Sequence, residues 1–375
     1  MHVGLNLVYL VPGETGGMEV YARELIPRLA TADGVRVTAF VNREAAGVDG
    51  PWQDIDHELV PVWARRRHEW VRGEQQHLPR LARRRGCDVV HSLASTAPLW
   101  GPFARVTTVH DLNYRMVPEA HLGLLGLGMR VLVPAAARRS RRVIVDAAST
   151  AGDVVRHLGV GRDRIDVVPL GVGQEPAGEP TPGDELRARF ALGERPVLLS
   201  ASAKRPHKNL VRLLDAHARL DPAIRPMLVL PGYATLHEAT LIGRAAALGT
   251  TEHVRFLHWV DRNDLEGLYA IASAFVFPSL YEGFGLPVLE AMRRGVPVAC
   301  SNRASLPEVA GDAALLFDPV DVGAIAAAIA RLNTDGELRD RLAEAGRRQA
   351  DRFDWDRTAA TTVSSYRTAL GIEAA

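Results

Sequence analysis

Residues 277–297 read F-P-S-L-Y-E-G-F-G-L-P-V-L-E-A-M-R-R-G-V-P, and their pattern sets the expected fold of the region around them. The apolar run Ala274 to Phe277, which leads into them, has the composition of a buried parallel strand. Beyond this run the chain turns into a helix that Gly295 is expected to close. The segment therefore predicts a strand, a tight loop and the first turns of a helix.

The loop in this segment has the features of a ligand site. Gly283 and Gly285 let the backbone approach a ligand closely or adopt positive φ, and the first helical turn presents unpaired N–H groups that favour an anion. Glu282 and Glu290 bracket the same place, and carboxylates accept hydrogen bonds from hydroxyl groups. A ligand with phosphates flanked by polyols on both sides would explain the two glycines together with the two glutamates. A nucleotide-sugar has that layout.

A lone pair of glutamates at this spacing would ordinarily be a solvated loop residue and a surface helix residue. Here, however, E-G-F-G-L-P-V-L-E resembles the E-x7-E motif of retaining glycosyltransferases of the GT-B class, particularly family 4, and the similarity continues through residues 301–319. In that family the first Glu contacts the donor sugar and the second contacts the ribose. The resemblance implies these roles for Glu282 and Glu290. Further donor contacts are implied at Gly283, Phe284, Gly285 and Leu286.

Composition indicates two domains and excludes some classes of partner. The chain has 375 residues, 47% of them hydrophobic, which is enough for two cores. Lys and Arg number 45 against 44 Asp and Glu, so the net charge gives no argument for a nucleic-acid partner. The two cysteines, Cys87 and Cys300, have no metal or redox spacing, and residues 1–11 read as a first core strand rather than a signal peptide. A cytoplasmic location is expected.

Strands and helices alternate in both halves of the chain, which predicts a parallel, doubly wound sheet in each. Strands are expected in the first half at His2–Leu10, Val35–Val41, Asp88–His91, Arg105–His110, Val143–Asp146 and Ile165–Val168. They are expected in the second half at Val197–Ala201, Met227–Leu230, Val254–Leu257, Ala274–Phe277, Val296–Cys300 and Ala314–Phe317.

The resemblance implies the α/β GT-B fold, in which two Rossmann-like domains face each other across a cleft. Residues 1–172 would form the acceptor-binding domain and residues 191–354 the nucleotide-sugar-binding domain. The Pro-, Gly- and Glu-rich segment 173–190 is expected to be a linker. Residues 355–375 would form a helix that returns to the first domain.

Two candidate sites lie in the first half. Gly16 and Gly17 stand at a predicted helix start after the first strand, where a plain turn is the alternative to a phosphate site. Family 4 enzymes carry a similar G-G-x-E whose N–H groups reach the donor phosphate. His110 follows a strand at its carboxyl end, where open α/β sheets bind ligands. A structural histidine is the alternative there, but the run from residue 110 to 119 resembles the segment that supplies the active-site His of this family.

Only two of the 45 basic residues are lysines, and both lie in the loop S-A-S-A-K-R-P-H-K-N-L. Because arginine is used at every other basic position, the presence of Lys204 and Lys208 in this loop suggests that the loop needs a compact ammonium group. Family 4 enzymes place a Lys at the position of Lys208, where it neutralises the diphosphate leaving group. Many also have an Arg five residues earlier, where this chain has Ala203. Lys204 and Arg205 are therefore alternative second cations.

The resemblance implies catalysis without a cofactor or a metal ion. A fixed cation and helical N–H groups would stabilise the charge that grows on the diphosphate. The acceptor would attack on the face that the diphosphate leaves, and the departing phosphate would take its proton. Trp259 and Val260 would lie at the base of a UDP-, GDP- or dTDP-linked donor. Two D-x-D pairs, at residues 54–56 and 354–356, are interpreted as surface acidic residues.

Residues 65–85 contain eight Arg and two Glu, with Trp63 and Trp70 nearby. Such a run is usually a solvated helix face. The alternative is a cationic patch for an anionic acceptor or for the inner face of a membrane. Acceptor loops are expected within residues 44–86, where the family resemblance is weakest.

The sequence thus favours a retaining hexosyltransferase that acts on a hydroxyl of a glycan, a glycolipid or a small-molecule natural product. A nucleotide-sugar epimerase of the same fold is the alternative enzyme, and donor alone would then give an epimer. A non-catalytic sugar-nucleotide binder is a third hypothesis, against which Glu282, His110 and Lys208 count. The donor sugar, its base and the acceptor stay open at this point.

Overall fold

The computed structural model describes residues 1–117, 124–172 and 178–372, with the backbone alone at 124–127. The chain divides into two compact units. Unit 1 comprises Met1–Gly171 and Phe353–Ala375, and unit 2 comprises Val172–Arg352. Each unit is built on its own parallel sheet, so the predicted α/β class with two Rossmann-like domains is confirmed.

The unit 1 sheet contains seven strands in the order β3-β2-β1-β4-β5-β6-β7, all parallel. These strands are β1 His2–Leu7, β2 Arg36–Val41, β3 Asp56–Leu59, β4 Val89–Ser92, β5 Ala104–Thr108, β6 Arg142–Val145 and β7 Ile165–Val167. The α-helices of this unit are α1 Gly17–Ala30, α2 Arg43–Ala46, α3 Arg67–Arg72, α4 Leu78–Arg85, α5 Asn113–Met116, α6 Leu124–Arg139, α7 Ala148–Asp153 and the last helix, α16 Trp355–Leu370. Short π-helical turns lie at Gly73–His77 and Val154–Leu158, and a 3-10 turn lies at Arg162–Arg164.

The unit 2 sheet contains six strands in the order β10-β9-β8-β11-β12-β13, also parallel. They are β8 Val197–Leu199, β9 Met227–Leu230, β10 Val254–Phe256, β11 Ala272–Phe277, β12 Val298–Ser301 and β13 Ala314–Phe317. The α-helices of this unit are α8 Gly183–Arg189, α9 Leu210–Ala218, α10 Glu238–Ala247, α11 Arg262–Ile271, α12 Leu286–Arg293, α13 Leu306–Ala310, α14 Val322–Thr334 and α15 Gly336–Ala350. Two 3-10 turns lie at Pro206–Lys208 and Thr251–His253.

Parallel strands covered by helices on both faces are buried along their length, and the central strands β1 and β9 show this even though β1 carries the polar residues His2 and Asn6. All six residues of β1 are buried, as are all four of β9. In each sheet the strand order reverses direction at one point, between β1 and β4 in unit 1 and between β8 and β11 in unit 2. Ligands of doubly wound sheets bind outside the carboxyl ends of the strands at such a point. The loops after these strands are therefore the places to look for a site.

Strand β3 was not predicted, because its sequence D-H-E-L has no apolar period. It is an edge strand paired only with β2 through the register Val41↔Leu59. Charged partners hold its outer residues, since Asp56 and Glu58 form ion pairs with Arg85. An edge strand that faces solvent can be polar, which removes the pattern that would reveal it.

The predicted linker 173–190 differs from the structure in its second part. Residues 173–177 lie outside the described residues, and Gly183–Arg189 form α8. Only Leu186 of this helix is buried, so its sequence carries no visible apolar period. Gly267 of α11 lies so close that an added Cβ would stand 2.6 Å from a methyl carbon of Leu186. Helix α8 therefore packs on unit 2 rather than forming an extended connection.

Helix α16 returns to unit 1, as the sequence predicted. The Asp354 side chain caps it by accepting from Asp356 N, and Trp355 packs on Gly171, where a Cβ would lie 2.4 Å from the indole ring. The described part of the predicted segment ends at residue 372. Within the described ranges, no helix combines the length and the apolar character that crossing a bilayer requires.

Candidate active site

The loops that follow β8 and β11 meet at the reversal point of the unit 2 sheet. The backbone N–H of Leu280 donates to the carbonyl of His207 at 2.8 Å, and the Ser279 hydroxyl oxygen lies 3.1 Å from the same carbonyl oxygen. These bonds join the loop that carries Glu282 to the turn that carries Lys208. The two predicted groups are therefore held close together by backbone structure.

Lys208 and Glu282 form an ion pair, with Nζ 2.6 Å from Oε1. Both side chains are largely buried, at 16% and 12% exposure. The Ser279 hydroxyl donates to the same carboxylate oxygen, and the ammonium lies 5.2 Å from the centre of the Phe277 ring. Within the described residues both hydrogen bonds go to Oε1. The carboxylate can thus accept a ligand hydroxyl through Oε2.

Asn209 fixes the turn that presents Lys208. Its backbone is left-handed, with φ of 59°, a conformation that Asn tolerates better than most residues. Its side-chain amide donates to the carbonyls of Pro278 at 3.0 Å and Pro319 at 2.7 Å. The turn is thereby tied to the loops after β11 and β13, which limits how far the ammonium group can move.

The start of helix α12 has the predicted geometry. Gly285 has φ of 129°, and an added Cβ would lie 2.8 Å from a methyl carbon of Leu306. The Ser305 hydroxyl lies within hydrogen-bond distance of the carbonyls of Glu282, at 3.0 Å, and of Phe284. Sequence reasoning did not single out Ser305, although it stands in the segment that extends the family resemblance. Glu282, Phe284, Gly285 and Leu286 are thus gathered at one helix N-terminus.

Glu290 is the fifth residue of α12 and is partly buried. Burial raises the pKa of its carboxyl group, and the nearby Arg294 guanidinium acts in the opposite direction. The Tyr269 hydroxyl donates to Oε2 at 3.4 Å, while Arg294 also pairs with Glu266. Glu290 therefore lies beside the polar groups of Tyr269 and Arg294, about one helical turn beyond the loop that carries Glu282.

The structure separates the two candidate second cations. Lys204 is fully buried, and its ammonium donates to the carbonyls of Gly232 at 2.7 Å and Leu257 at 2.6 Å. It also lies 3.3 Å from Glu238, and burial lowers its pKa. The expected donor-binding role of Lys204 is thus wrong for this arrangement, because its donors are used inside unit 2. Arg205 is exposed, so its role as a second cation for the diphosphate stays a prediction.

The loop after β10 presents an aromatic surface. Trp259 is 67% exposed and stacks on Tyr233, with ring centroids 4.6 Å apart and an angle of 24° between the planes. The backbone N–H of Gly232 donates to the carbonyl of His258 at 3.1 Å, which joins this loop to the one after β9. Trp259 and the partly buried Val260 therefore lie at the carboxyl edge of the sheet, and their contact with a base stays a prediction.

In unit 1, Gly16 and Gly17 lie where the sequence placed them. Helix α1 begins at Gly17, and Gly16 has φ of 58°, which favours glycine. Glu19 in the first turn accepts from Gly13 N at 2.7 Å and shapes the loop before the helix. The helix start is as predicted, and its contact with phosphate stays a prediction.

His110 follows β5 and contacts the ends of the two neighbouring strands. Its Nδ1 lies 2.7 Å from Oδ2 of Asp146, after β6, and its Nε2 lies 3.0 Å from the carbonyl of Leu93, after β4. Both partners are acceptors, so only the imidazolium can donate to both. Burial opposes the charge, but Asp146 outweighs it and raises the pKa of His110. Asp146 was not predicted, since it is 36 residues away.

Three of the four carboxylates in the two D-x-D pairs make structural contacts. Asp56 is held by Thr38 and arginines, and Asp54 is exposed. Asp354 caps α16, and Asp356 pairs with Arg28 at 2.6 Å. Across residues 1–117, 124–172 and 178–372, no group of three or more His, Cys, Asp or Glu side chains is placed to hold a metal ion.

The arginine-rich segment is a helical surface in which four of the eight arginines pair with carboxylates of the described residues. Arg65 pairs with Glu14, Arg66 with Glu69, Arg84 with Glu58, and Arg85 with both Asp56 and Glu58. Trp70 packs against an apolar core cluster, whereas Trp63 is 41% exposed. These contacts fit a solvated helix face, and contact with a membrane or an acceptor stays a prediction.

Comparison with known proteins identifies the family. Residues 15–175 match the profile described as Glycosyltransferase Family 4, and residues 184–349 match the one described as Glycosyl transferases group 1. The D-inositol 3-phosphate glycosyltransferase of Frankia alni is 31% identical over an alignment of 405 residues that covers 96% of each chain. The O-antigen chain mannosyltransferase B of Escherichia coli is 34% identical over 267 residues, 70% of each chain.

Solved structures agree on the fold. Sucrose-phosphate synthase from Thermosynechococcus elongatus has a TM-score of 0.80 at 22% identity and covers 98% of both chains. HepE from Anabaena, solved in complex with UDP and glucose, has a TM-score of 0.74 at 20% identity and covers 98% of this chain and 100% of its own. The two profile matches and the relatives over 30% identical establish that this chain belongs to the GT-B glycosyltransferases of group 1 and family 4, and is a glycosyltransferase.

Proposed function

We propose that this glycosyltransferase is a retaining hexosyltransferase that moves a hexose from a nucleoside-diphosphate sugar to an acceptor hydroxyl. The observation that carries the proposal is the ion pair of Lys208 and Glu282 beside the N-terminus of α12. A cation, the N–H groups of a helix N-terminus and a hydroxyl-accepting carboxylate are the groups that a sugar diphosphate needs. They converge at the reversal point of the unit 2 sheet.

In the proposed reaction the bond between the anomeric carbon and the diphosphate breaks, and its electrons go to the diphosphate oxygen. Lys208 then shifts from Glu282 to the diphosphate and stabilises the charge that develops there. The acceptor oxygen bonds to the anomeric carbon on the same face, and its proton passes to the departing phosphate. Glu282 binds the sugar hydroxyls and Glu290 binds the ribose.

His110 is assigned to the reacting sugar. Its Nε2–H donates to the Leu93 carbonyl in this structure. In the proposed complex the same N–H would donate to an oxygen of the sugar instead. Asp146 raises the pKa of His110 and so favours the charged ring, in which both nitrogens carry protons. A cation at this place would favour electron-rich oxygen atoms of the donor over uncharged carbon groups.

The proposed donor contacts include Arg205, Trp259, Val260 and the backbone of Gly16 and Gly17. Arg205 is the exposed cation of the Lys208 loop and replaces Lys204 as the second partner of the diphosphate. The relatives from Escherichia coli and from Mycolicibacterium hassiacum are named as mannosyltransferases. Mannose is therefore the first sugar to test, on each of the three bases.

The testing experiment is a thermal-unfolding screen against UDP, GDP and dTDP and their mannose and glucose conjugates. The matching nucleotide is expected to raise the unfolding temperature, because a ligand that binds only the folded protein stabilises it. Product formed with an acceptor panel is then analysed for its anomeric configuration. An inverted product would contradict retention, and an epimer formed from donor alone would contradict transfer.

A further inference from the structure

A buried polar chain lies behind His110 and connects it to the last helix. Its members are Tyr21 of α1, His91 of β4, Thr108 of β5, and Thr362 and Tyr366 of α16. The side chains of all five belong to residues with no measurable solvent exposure. None of these residues was a candidate in the sequence, and the proposed reaction does not use them directly.

The chain is continuous. The Tyr366 hydroxyl lies 2.7 Å from His91 Nδ1, and His91 Nε2 lies 2.8 Å from Thr108 Oγ1. Thr108 Oγ1 lies 3.2 Å from the Tyr21 hydroxyl, which also bonds to the side chain of Thr362. The Thr362 hydroxyl donates to the carbonyl of Thr358 at 2.8 Å. The path thus leaves α16 at one residue and returns to it one turn earlier.

Only one order of protons satisfies every member. The Thr362 hydroxyl donates to a carbonyl, so it can only accept from Tyr21. Tyr21 must then accept from Thr108, and Thr108 must accept from His91 Nε2–H. His91 Nδ1 in turn accepts from Tyr366. This order requires a neutral His91, and burial lowers its pKa to about 3.

The far end of the chain touches His110. The Tyr21 and His110 rings have centroids 4.8 Å apart and meet at 83°. Tyr21 has two fixed hydrogen bonds at its hydroxyl, so its ring has little freedom to turn. Among the residues that the structure describes, the titratable groups that act on His110 are Asp146 and Asp111, and His91 lies within electrostatic range. Because the two rings pack edge to face, Tyr21 limits how far the imidazole can tilt.

We infer that Tyr366 is a positioning residue for His110, acting through His91, Thr108 and Tyr21. The last helix is then part of the catalytic machinery of unit 1 rather than only a cover on its sheet. The inference rests on the role proposed for His110. It predicts that removing one hydroxyl from α16 changes the ionisation and the effectiveness of His110, although Tyr366 touches neither His110 nor a substrate.

The test compares Tyr366→Phe and Tyr21→Phe with Ser365→Ala in the full chain. The first two remove one hydroxyl of the chain and keep the ring. Ser365→Ala removes a buried hydroxyl of the same helix, which donates to Thr361 O at 3.2 Å outside the chain. The pKa of His110 is measured by NMR of ring-labelled histidine, with kcat, affinity for the nucleoside diphosphate and unfolding temperature alongside.

We expect the pKa of His110 to fall toward its ordinary value in both Tyr variants, because its contact with Asp146 loosens. We expect kcat to fall about threefold to tenfold, the scale of one net hydrogen bond, with unchanged nucleotide affinity. Ser365→Ala should match the wild type in all three. An unchanged pKa of His110 and an unchanged kcat in Tyr366→Phe, whatever Tyr21→Phe shows and with or without a lower unfolding temperature, would overturn the inference.

His110→Asn separates this inference from the proposed function. If His110→Asn keeps wild-type turnover while it binds nucleotide normally, the proposed catalytic role of His110 is wrong. The NMR measurement on Tyr366→Phe still decides whether the chain positions the ring, since it needs no turnover. If His110→Asn is inactive and the Tyr variants behave as wild type, the positioning inference alone is wrong.

Discussion

The ammonium nitrogen of Lys208 lies 2.6 Å from Oε1 of Glu282, although 74 residues separate them in the sequence. They follow β8 and β11, which are neighbours at the reversal point of the unit 2 sheet. Such a pair leaves a charge uncompensated when either partner is removed. A diphosphate that takes Lys208 would release Glu282 toward the sugar. Binding and catalysis are therefore expected to be coupled through this pair.

Lys208→Ala is expected to lower kcat by about a hundredfold or more, the scale of losing one preorganised charge stabiliser. Steady-state kinetics with the donor identified by the unfolding screen would measure it. Arg219→Ala serves as the control, because it removes an exposed cation at the end of the next helix. Near-normal turnover of Lys208→Ala would remove this residue from the proposed mechanism.

Lys204→Met is expected to act on stability rather than on catalysis. The buried ammonium satisfies the carbonyls of Gly232 and Leu257 and pairs with Glu238, so its removal leaves buried acceptors without donors. Breaking such a buried pair costs about 3 to 5 kcal/mol. Denaturant unfolding measures the loss, and kinetics below the transition gives kcat. A stable variant with a lowered kcat would restore Lys204 as a donor-binding residue.

Strands made of continuous apolar residues could be predicted closely, since burial on both faces leaves a strong pattern. Strand β9, which is buried along its whole length, has the bounds expected from sequence. So does the edge strand β13, whose residues are all apolar although only Phe317 is buried. Strand β3 and helix α8 could not be found, because each buries too little apolar surface to show a period. An apolar sequence pattern reveals elements that bury a face. It does not reveal an element that ion pairs or a single buried side chain hold in place.

The candidate site was predictable to the extent that family resemblance marks positions. Lys208, Glu282, Glu290 and the glycine at the start of α12 lie on the elements expected for them. The partners of these residues were not predictable, since hydrogen bonds such as that from Ser305 join distant loops. The burial of Lys204 was hidden for the same reason. Sequence shows which groups are present, and the fold decides which of them a ligand can reach.

Glu282→Gln and Glu290→Gln are expected to separate turnover from binding. A contact with the sugar ring changes as the ring flattens toward the transition state, so Glu282→Gln should chiefly lower kcat. A ribose contact is nearly the same before and after, so Glu290→Gln should chiefly weaken donor binding. Affinity for the free nucleoside diphosphate, which lacks the sugar, should fall only for Glu290→Gln. The reverse result would show that the two roles are exchanged.

The reaction is expected to run in an excess of chelator. The positive charge that a divalent ion would bring is supplied in the proposal by Lys208, Arg205 and the start of α12. Initial rates are compared in protein treated with EDTA, with and without added magnesium or manganese. Rates should agree within error. Activity that disappears in chelator and returns with either ion would contradict metal independence.

Glu74 gives the protein a predictable dependence of stability on pH. Its carboxyl group is buried in unit 1 and accepts from Asn6 at 2.9 Å, Thr96 at 2.8 Å and Gln75 at 3.1 Å. These donors favour the charged form, but burial outweighs them and raises the pKa of Glu74 to about 7. The folded protein therefore holds this proton more tightly than the unfolded chain, whose Glu titrates near 4.3.

Because the folded state binds more protons between these two values, the free energy of unfolding should fall as pH rises through that range. The fall should be on the order of 3 kcal/mol and complete slightly above pH 7. His91 and His217, whose pKa values burial lowers to about 3 and about 4, contribute the opposite slope below pH 6.5.

Comparison with Glu74→Gln cancels these histidine contributions. The amide faces the same donors at every pH, so its own cost is a constant offset. Urea unfolding of both proteins from pH 4.5 to 8 should show Glu74→Gln gaining stability relative to wild type as pH rises, and a constant difference would mean that Glu74 ionises normally.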